Sequence, residues 1–351
     1  MKNVAYLAMD VHAAHCVLGH MSPDGTFLGN KTFATSEQNV IDALKAIQAK
    51  EKYLALEESN LAYWVAQVAT PYVTEVISSD PRENALIYKS PNKTDKVDTR
   101  KLCRLLRLGE LKRVYQPQTD DRAIFKTAVQ HYIDLRDQQT RLKNKIKAIY
   151  RHWGVVELRG QAVYGPTHRK AYLNKVTHRH IREQLQRLYT LMDQAESLQE
   201  QALEAVKRLG QKYPEIKKFK KIPGIGDVIA HTFDAFIQTP ERFANKRPLW
   251  RYCRLGVTDR SSDGKPLGYK RLDKSGLSEL KSLSYRAWLC AMKGDNEVKR
   301  FYSNSLRRTL NRVHARLNTQ RKIIAVMYGM WKRGEPYNPK LFLDPSESGV
   351  V

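Results

Sequence analysis

The amino-acid sequence predicts an α/β N-terminal domain, a central pair of long helices and a mainly helical C-terminal domain. Three observations support this prediction. The first hundred residues alternate short apolar runs with amphipathic stretches in the order βββαβαβα, which is typical of a mixed sheet with helices on its faces. Two stretches of about 30 residues keep apolar residues at unbroken helical spacing. After residue 213, helical stretches alternate with glycine-bearing loops.

Three consecutive strands are predicted to open the sheet. "NVAYLAMD" is an apolar run that ends on Asp10, and "HCVLGHM" and "TFLGNKTFA" lie on either side of the turn "SPDG". Ser36 is a helix start signal, and the helix that it opens is predicted over 36–51. "YLALEES" is a fourth strand that ends at Glu57, and a helix separates it from the fifth strand, "YVTEVISS".

Two more helices are predicted after the fifth strand. "PRENALIYK" (81–89) is a short one, and "DKVDTRKLCRLLRLG" (95–109) is longer. Its apolar stripe contains Leu102 and Leu105, which should pack on the sheet. Asp95 and Asp98 are three residues apart, and this spacing puts them on one helix face.

The central region is predicted to form two long amphipathic helices, Thr119–Trp153 and Arg179–Leu209. They are separated by a stretch that contains Gly160, Gly165 and Pro166. The pattern fits an antiparallel coiled coil, within one chain or between subunits, and it fits a plain helical bundle equally well. The predicted domains are therefore 1–115, 116–213 and 214–340, with a tail over 341–351.

A basic run leads into two glycines at the start of the C-terminal domain, in "KKFKKIPGIGDVIAHTF". The candidate nucleic-acid-binding residues here are Lys218, Lys220, Lys221, Gly224 and Gly226. Glycines before a helix expose backbone N–H groups that can bind phosphate, as in a helix-hairpin-helix motif, although such glycines also occur in simple tight turns. The loop or hairpin "LGVTDRSSDGKPLGYKRLDKSG" follows, and basic helices are predicted from Leu277 to about Tyr337.

The charge distribution favours a polyanionic partner. The net charge is +25 and the pI is about 9.8. Residues 1–100 hold 10 Lys and Arg against 12 Asp and Glu, whereas 101–351 hold 51 against 24, so their net charges are −2 and +27. The basic part can neutralise phosphates of DNA or RNA, and its binding should weaken with salt.

The expected compartment is the bacterial cytoplasm, in association with the nucleoid. The four cysteines form no CxxC pair, so neither a zinc site nor a disulfide framework is indicated. No apolar run approaches the ~20 residues that a membrane span needs, and Asp10 interrupts the first apolar run too early for a signal peptide.

Four carboxylates stand where the predicted elements could bring them together. Asp10 and Glu57 end strands, and Asp95 and Asp98 share the helix after the fifth strand. Clustered carboxylates repel one another unless a divalent cation neutralises them, and oxygen-only ligands suit Mg²⁺ or Mn²⁺. Two such ions assist phosphodiester chemistry. Each acid alone could be an ordinary surface residue, but an acid at the end of the apolar run "VAYLAMD" needs a partner.

Three of these segments resemble the acidic motifs of a known family. "AMDVH", "LALEESNLAYW" and "KTDKVDTRKL" look like the motifs of the DEDD insertion-sequence transposases of the IS110 family, which includes the Piv and MooV invertases. "IPGIGDVIAHTF" and "RYCRLGVTDRSSDGK" resemble that family's C-terminal transposase domain. The resemblance implies a RuvC-type, RNase H-like N-terminal fold and a metal-binding tetrad of Asp10, Glu57, Asp95 and Asp98.

The resemblance also implies a nucleophilic serine that forms a covalent phosphoserine link with DNA. In "RSSDGK" the matching residue is Ser262, with Arg260 and Lys265 beside it to hold the phosphate. Asp263 stands where the family commonly has glycine, so Ser261 is an alternative. "ESN" likewise departs from the usual pattern, and Glu57 is preferred to Glu58 because it directly follows the apolar strand. Without the resemblance, "SSDG" would be taken as a turn.

The partners that the resemblance implies are the DNA of the element ends and target, and a structured non-coding guide RNA. Exchange of strands between two DNA sites needs at least two protomers, so a dimer or tetramer through the long helices is expected. Two other functions fit parts of the sequence. One is a RuvC-like nuclease that cuts branched DNA with metal-activated water and without a serine link, and the other is a non-enzymatic RNA-binding protein.

Overall fold

The computed structural model describes residues 3–80, 95–117, 120–262 and 265–342, although the side chains of 95–97 and 259–270 lie outside this description. The chain forms two compact units, Met1–Gln116 and Pro117–Val351, each with its own core. The helix predicted over 81–89 and nearly all of the predicted tail lie outside the described residues. None of the helices described here is both long enough and apolar enough to cross a membrane.

The first unit confirms the predicted order of strands and helices. Its central sheet has the strand order β3-β2-β1-β4-β5, in which β1 pairs antiparallel with β2 and parallel with β4. This mixed sheet with helices on both faces is the RNase H-like arrangement. The elements are β1 (Val4–Val11), β2 (His15–Met21), β3 (Phe27–Ala34), α1 (Glu37–Lys45), β4 (Glu51–Glu57), α2 (Ala62–Ala69), β5 (Glu75–Ser79) and α3 (Asp95–Leu108).

Helix α1 begins as predicted, but its predicted end was wrong. The Ser36 side chain caps the helix by accepting a hydrogen bond from the amide of Asn39 at 3.2 Å. The helix ends at Lys45 rather than near residue 51. Glu51 and Lys52 belong to β4 instead, because they pair with the first two residues of β1. Tertiary pairing therefore overrides the helical pattern at this boundary.

The two faces of the sheet are covered by different helices. Leu7 and Met9 of β1 pack with α1 and α2 on one face. Ala8 of β1, Ala55 of β4 and Ile77 of β5 pack with α3 on the other. The faces alternate because successive residues of a strand point to opposite sides.

The two long helices of the second unit pair antiparallel within one chain. They are α4 (Asp120–His152) and α6 (Arg179–Gly210). Val129, early in α4, lies in one apolar cluster with Val206, late in α6. At the opposite end, the hydroxyl of Tyr189 lies 3.2 Å from that of Tyr150. Between them is a short helix, α5 (Pro166–Asn174), which was not predicted. Its nine residues are too few for a clear apolar period.

The remaining helices share one core with the start of α4. This confirms the mainly helical prediction, and the segment that was predicted as a loop or hairpin is an antiparallel hairpin. The elements are α7 (Pro214–Phe219), α8 (Asp227–Ile237), α9 (Lys246–Tyr252), β6 (Val257–Ser262), β7 (Lys265–Leu272), α10 (Ser278–Ala291), α11 (Glu297–Thr309) and α12 (Arg312–Arg333).

A buried ion pair joins α4 to this core. The guanidinium of Arg122 bonds the carboxylates of Asp234 and Glu215, and it lies 3.6 Å from the centre of the Tyr213 ring. Asp234 is fully buried, and its burial raises the pKa of its carboxyl well above the ordinary value. The long helix pair is therefore fixed to the C-terminal helices at the first turn of α4.

Candidate active site and nucleic-acid interface

Asp10 and Glu57 lie at the same edge and on the same face of the sheet. Met9 and Leu56 are paired on the parallel strands β1 and β4, and each carboxylate is the next residue along its strand. Asp10 and Glu57 are each two residues beyond an alanine, Ala8 or Ala55, that faces α3. Side chains two residues apart in a strand share a face, so both carboxylates are on the α3 side of the sheet.

Helix α3 brings Asp98 to this edge. The helix runs antiparallel to β1, because Thr99 lies against Gly19 of β2 whereas Arg107 hydrogen-bonds the Pro23 carbonyl beyond the end of β2, and β2 is antiparallel to β1. The buried thiol of Cys103 hydrogen-bonds the backbone of Ala8. Burial raises the pKa of that thiol to about 12. Asp98 lies one turn before Leu102 on the face that packs on the sheet, and therefore towards the strand ends. One carboxylate oxygen of Asp98 and one of Glu57 are buried.

Asp95 is the first residue of α3. It lies one turn before Asp98 on the helix backbone, as the spacing in the sequence requires, and its side chain is outside the described part of the chain. The structure thus brings three of the four predicted acids, Asp10, Glu57 and Asp98, to one edge of the sheet.

A close contact between α3 and the sheet depends on Gly19 of β2. A Cβ atom at this position would lie 3.0 Å from Cβ of Thr99, which is tighter than side-chain contacts tolerate without displacement. The Thr99 hydroxyl donates a hydrogen bond of 2.8 Å to the Asn30 side chain on β3. Gly19 therefore lets Thr99, the neighbour of Asp98, sit directly on the sheet. Sequence reasoning missed this residue.

His12 is a second residue near the acids that the sequence analysis missed. Its Nε2 lies 3.2 Å from Oδ2 of Asp10, and its ring centre is 5.3 Å from that of His15. The available signal was the spacing in "DVH", since residues two apart in an extended segment share a face. His12 is half exposed, whereas the side chain of Asp10 is 25% exposed.

The four predicted carboxylates are the type of ligand that a hard divalent cation prefers. The predicted ligands are all carboxylates, and oxygen donors suit Mg²⁺ or Mn²⁺ rather than zinc. Among the described side chains, which exclude that of Asp95, no three His, Cys, Asp or Glu residues are grouped closely enough to hold a metal ion. The described carboxylates thus share an edge and a face of the sheet, but they do not form a complete metal-binding site by themselves.

The predicted serines lie at the tip of the β6–β7 hairpin. Ser262 is the last residue of β6 and pairs with Lys265, while Ser261 pairs with Pro266. The pairing register shifts between Asp259 and Ser261, so a bulge or irregularity lies just before the serines. Arg260 is on the same strand. The side chains of these residues are outside the described part, and the backbone alone locates them.

The base of this hairpin is fixed to α9 by a network that sequence reasoning missed. The carboxylate of Asp273 accepts hydrogen bonds of 2.8 Å from Nε of Arg251 and 2.8 Å from the amide of Ser275. The bonds from the Ser275 hydroxyl and amide, with Arg251 adding its charge, lower the pKa of Asp273 to about 2. A Cβ at Gly276 would lie 2.2 Å from the Tyr252 carbonyl oxygen. Only glycine permits this approach of the two segments.

The two glycines before α8 differ in their surroundings. Gly224 has φ +88°, and a Cβ there would lie 2.3 Å from the carbonyl oxygen of Ala287 on α10. Gly226 is the N-cap residue of α8 and is exposed. Gly224 is therefore required by the turn and by the contact with α10, whereas Gly226 borders solvent.

The three lysines near this turn differ in their surroundings. Nζ of Lys218 donates to the Gly334 carbonyl at 2.5 Å, at the end of α12. Nζ of Lys220 is 2.5 Å from the carboxylate of Asp227, in an ion pair at the surface. Lys221 is exposed. Of the three, Lys221 is the residue most open to a phosphate.

Helices α11 and α12 belong to the stretch from Leu277 to about Tyr337 that the sequence predicts to form basic helices. Residues 298–334 contain ten Lys and Arg and no Asp or Glu. A cleft of about 600 Å³ between α9 and α12 is bordered by cations and by the Trp250 ring. The cations that line it are Lys246, Arg321, Lys322, Lys332 and Arg333. Cations beside aromatic rings are typical of surfaces that bind nucleic acid.

Family models match both units of the chain. A model of DEDD transposases matches residues 7–152, and a model described as "Transposase IS116/IS110/IS902 family" matches residues 216–303. The first match contains all four acids, and the second contains the glycine turn and the serine hairpin. No curated protein matches the chain.

Proposed function

Because the chain belongs to the IS116/IS110/IS902 family of transposases, and is thus an enzyme that acts on DNA, we propose that it cleaves and rejoins DNA strands through a covalent link to Ser262, assisted by Mg²⁺. The observation that supports this most directly is the common edge and face of Asp10, Glu57 and Asp98. Carboxylates that share a sheet edge repel one another, and a cation bound there would offset this repulsion.

In this proposal, the metal ligands are the four acids of the first unit, and the family match itself implies a divalent metal. They are Asp10, Glu57, Asp95 and Asp98. When bound, the metal would polarise the scissile phosphate and lower the pKa of an attacking hydroxyl. Glu57 and Asp98 already bury one oxygen each, so a cation would offset the cost of keeping these carboxylates charged.

The serine step conserves the number of phosphoester bonds. The Ser262 hydroxyl loses its proton and its oxygen bonds to phosphorus, while the bond from phosphorus to one sugar oxygen breaks and that oxygen takes up a proton. A hydroxyl of another strand then attacks the phosphoserine, and Ser262 is released. Arg260 and Lys265 are proposed to hold the phosphate, since both are close to Ser262 on the hairpin.

The second unit is proposed to bind the nucleic-acid backbone. Lys221 and the exposed start of α8 at Gly226 suit phosphate, with Lys218, Lys220 and Gly224 supporting the turn. We also propose a structured guide RNA as a partner, because the net charge of +27 in residues 101–351 suits an extensive polyanion. Sequencing of RNA that copurifies with the protein tests this, and recovery of only random cellular RNA would contradict it.

The test of the serine step is a covalent adduct. The wild-type protein with Mg²⁺ and DNA carrying the element ends should give a protein–DNA species that survives denaturation. Ser262→Ala should abolish both the adduct and strand exchange, with DNA binding retained, because only the nucleophile is removed. Ser261→Ala is the matched control and should form the adduct.

Two results would change this proposal. If Ser261→Ala loses the adduct and Ser262→Ala keeps it, the nucleophile is the neighbouring serine. If both variants exchange strands normally, the serine mechanism is wrong. The second candidate function would then apply, a metal-dependent nuclease acting on branched DNA, which is favoured by the fact that all four acids belong to the first unit.

We further propose that the active form is a dimer or tetramer that assembles through the long helices. Leu191 and Leu198 of α6 are 50% and 51% exposed although they belong to the long paired helices. They are seven residues apart, which is one heptad, so they share one exposed stripe of α6. A second copy of the chain would cover this stripe.

A further inference from the structure

The turn between α11 and α12 contains a leucine in an unusual conformation. Leu310 has φ +52° and ends α11 in the left-handed region, where glycine or asparagine is usual. Its side chain is 88% exposed. A left-handed backbone is unfavourable for a bulky residue, and exposure gives an apolar side chain no stabilisation in return. The protein therefore retains a residue that is unfavourable in two independent ways.

Hydrogen bonds fix this turn rather than leaving it loose. The amide of Leu310 donates to the Leu306 carbonyl at 2.8 Å. The side chain of Asn311 accepts bonds from the amides of Val313 and His314, at 2.9 and 3.1 Å, and so caps α12. Leu310 is thus held outward between two capped helices.

The surroundings of Leu310 are cationic. Arg307, Arg308 and Arg312 are exposed on the adjoining turns. Val313 is 50% exposed and extends the apolar tip. Because residues 298–334 contain no acid, this tip suits a polyanion better than the surface of a typical protein partner.

We propose that Leu310 is an apolar wedge that inserts between base pairs of duplex DNA, with the flanking arginines on the phosphates. Apolar side chains that enter a base step partly unstack it and unwind or kink the duplex. A fixed, projecting leucine between arginines has the shape and charge for this role. The inference rests on the DNA binding of the family and is independent of the proposed serine chemistry.

Unwinding of DNA tests the wedge directly. A nicked plasmid is sealed by ligase in the presence of the purified protein, together with any RNA that copurifies, and the change in linking number is measured at equal DNA occupancy. Wild type should shift the linking number. Leu310→Asn should reduce the shift at least about tenfold, since asparagine accepts the left-handed backbone but cannot act as an apolar wedge. Leu310→Met should retain most of it.

The controls separate the wedge from other effects. Val156 is 76% exposed in the loop between the long helices, so Val156→Asn removes an exposed apolar residue elsewhere and should unwind DNA as wild type does. Leu310→Asn should fold normally, which thermal unfolding checks. Ser262→Ala should keep full unwinding, so a failure of the serine proposal leaves this result intact.

Two outcomes would overturn the inference. Equal unwinding by Leu310→Asn and wild type would show that the leucine does not enter DNA. A change in the mass of the assembly, measured by light scattering for Leu310→Asn, would assign the tip to contacts between protein chains instead.

Discussion

Gly19 is the single residue on which the position of Asp98 depends most clearly. It carries no Cβ, and the space that a Cβ would need is occupied by Thr99. The short apolar runs in the sequence were sufficient to predict the strands, because a short apolar run bounded by turn signals is typical of a buried strand. The need for glycine at position 19 was not predictable, because it arises from Thr99, about 80 residues later in the sequence. Local periodicity carries no information about contacts at that separation.

We expect Gly19→Ala to lower the free energy of unfolding by about 1–3 kcal/mol, because the buried Thr99, and α3 with it, must give way to the added Cβ. The same movement should displace Asp98 and weaken binding of Mn²⁺, measured by electron paramagnetic resonance. Gly294→Ala adds a Cβ where the nearest atom is 3.6 Å away, and should change neither quantity. Normal Mn²⁺ binding by Gly19→Ala would show that the acids tolerate a shift of α3.

At the scale of elements, the serine hairpin is a short ribbon whose base is fixed and whose tip carries the proposed nucleophile. The sequence predicted a loop or hairpin here, because polar residues and glycines indicate turns. It did not indicate that Asp273 anchors the base, since an aspartate in "RLDKSG" looks like any other turn residue. The end of α1 was mispredicted for a related reason: pairing with β1 is a long-range contact that local patterns do not report.

The Asp273 anchor should make stability depend on pH. Its pKa is about 2 in the folded protein against about 3.9 in an unfolded chain, so the carboxylate stabilises the fold above pH ~4 and this stabilisation is lost as the pH falls through about 2. At pH 7 we expect Asp273→Asn to lower the free energy of unfolding, measured with urea, by about 2 kcal/mol. This difference from wild type should become smaller in acid.

The exposed Asp295, in the turn before α11, supplies the matched control. Asp295→Asn should leave the urea midpoint at pH 7 close to that of wild type, because surface substitutions rarely change stability by more than about 0.5 kcal/mol. The free energies of unfolding of Asp273→Asn and wild type should therefore converge from pH 7 to pH 2. If their difference stays constant, the Asp273 carboxylate is not the source of the stabilisation.

At the scale of the whole molecule, the properties that matter are the distribution of charge and the assembly of subunits. Residues 1–100 are near neutral and residues 101–351 are strongly basic, and this distribution alone indicates a polyanionic partner. The helix pairing could not be decided from periodicity, which is the same for contacts within a chain and between chains. The structure pairs α4 with α6 in one chain and still leaves Leu191 and Leu198 exposed.

We expect the double substitution Leu191→Glu, Leu198→Glu to reduce the mass of the assembly in light scattering, because charges at both positions would prevent close packing of a second copy. Val156→Glu places a charge on another exposed apolar residue and should leave the mass unchanged. A monomeric wild-type protein, or an unaltered mass of the double variant, would exclude assembly through this stripe.

The strand order of the first unit also bears on how the protein is made. β1, β2 and β3 are neighbours both in sequence and in the sheet, so they can pair soon after they leave the ribosome. Glu57 on β4 and Asp98 on α3 are synthesised later, after all three strands of this meander. Within the first unit, the edge of the sheet that carries Asp10, Glu57 and Asp98 is therefore completed only when α3 has been synthesised.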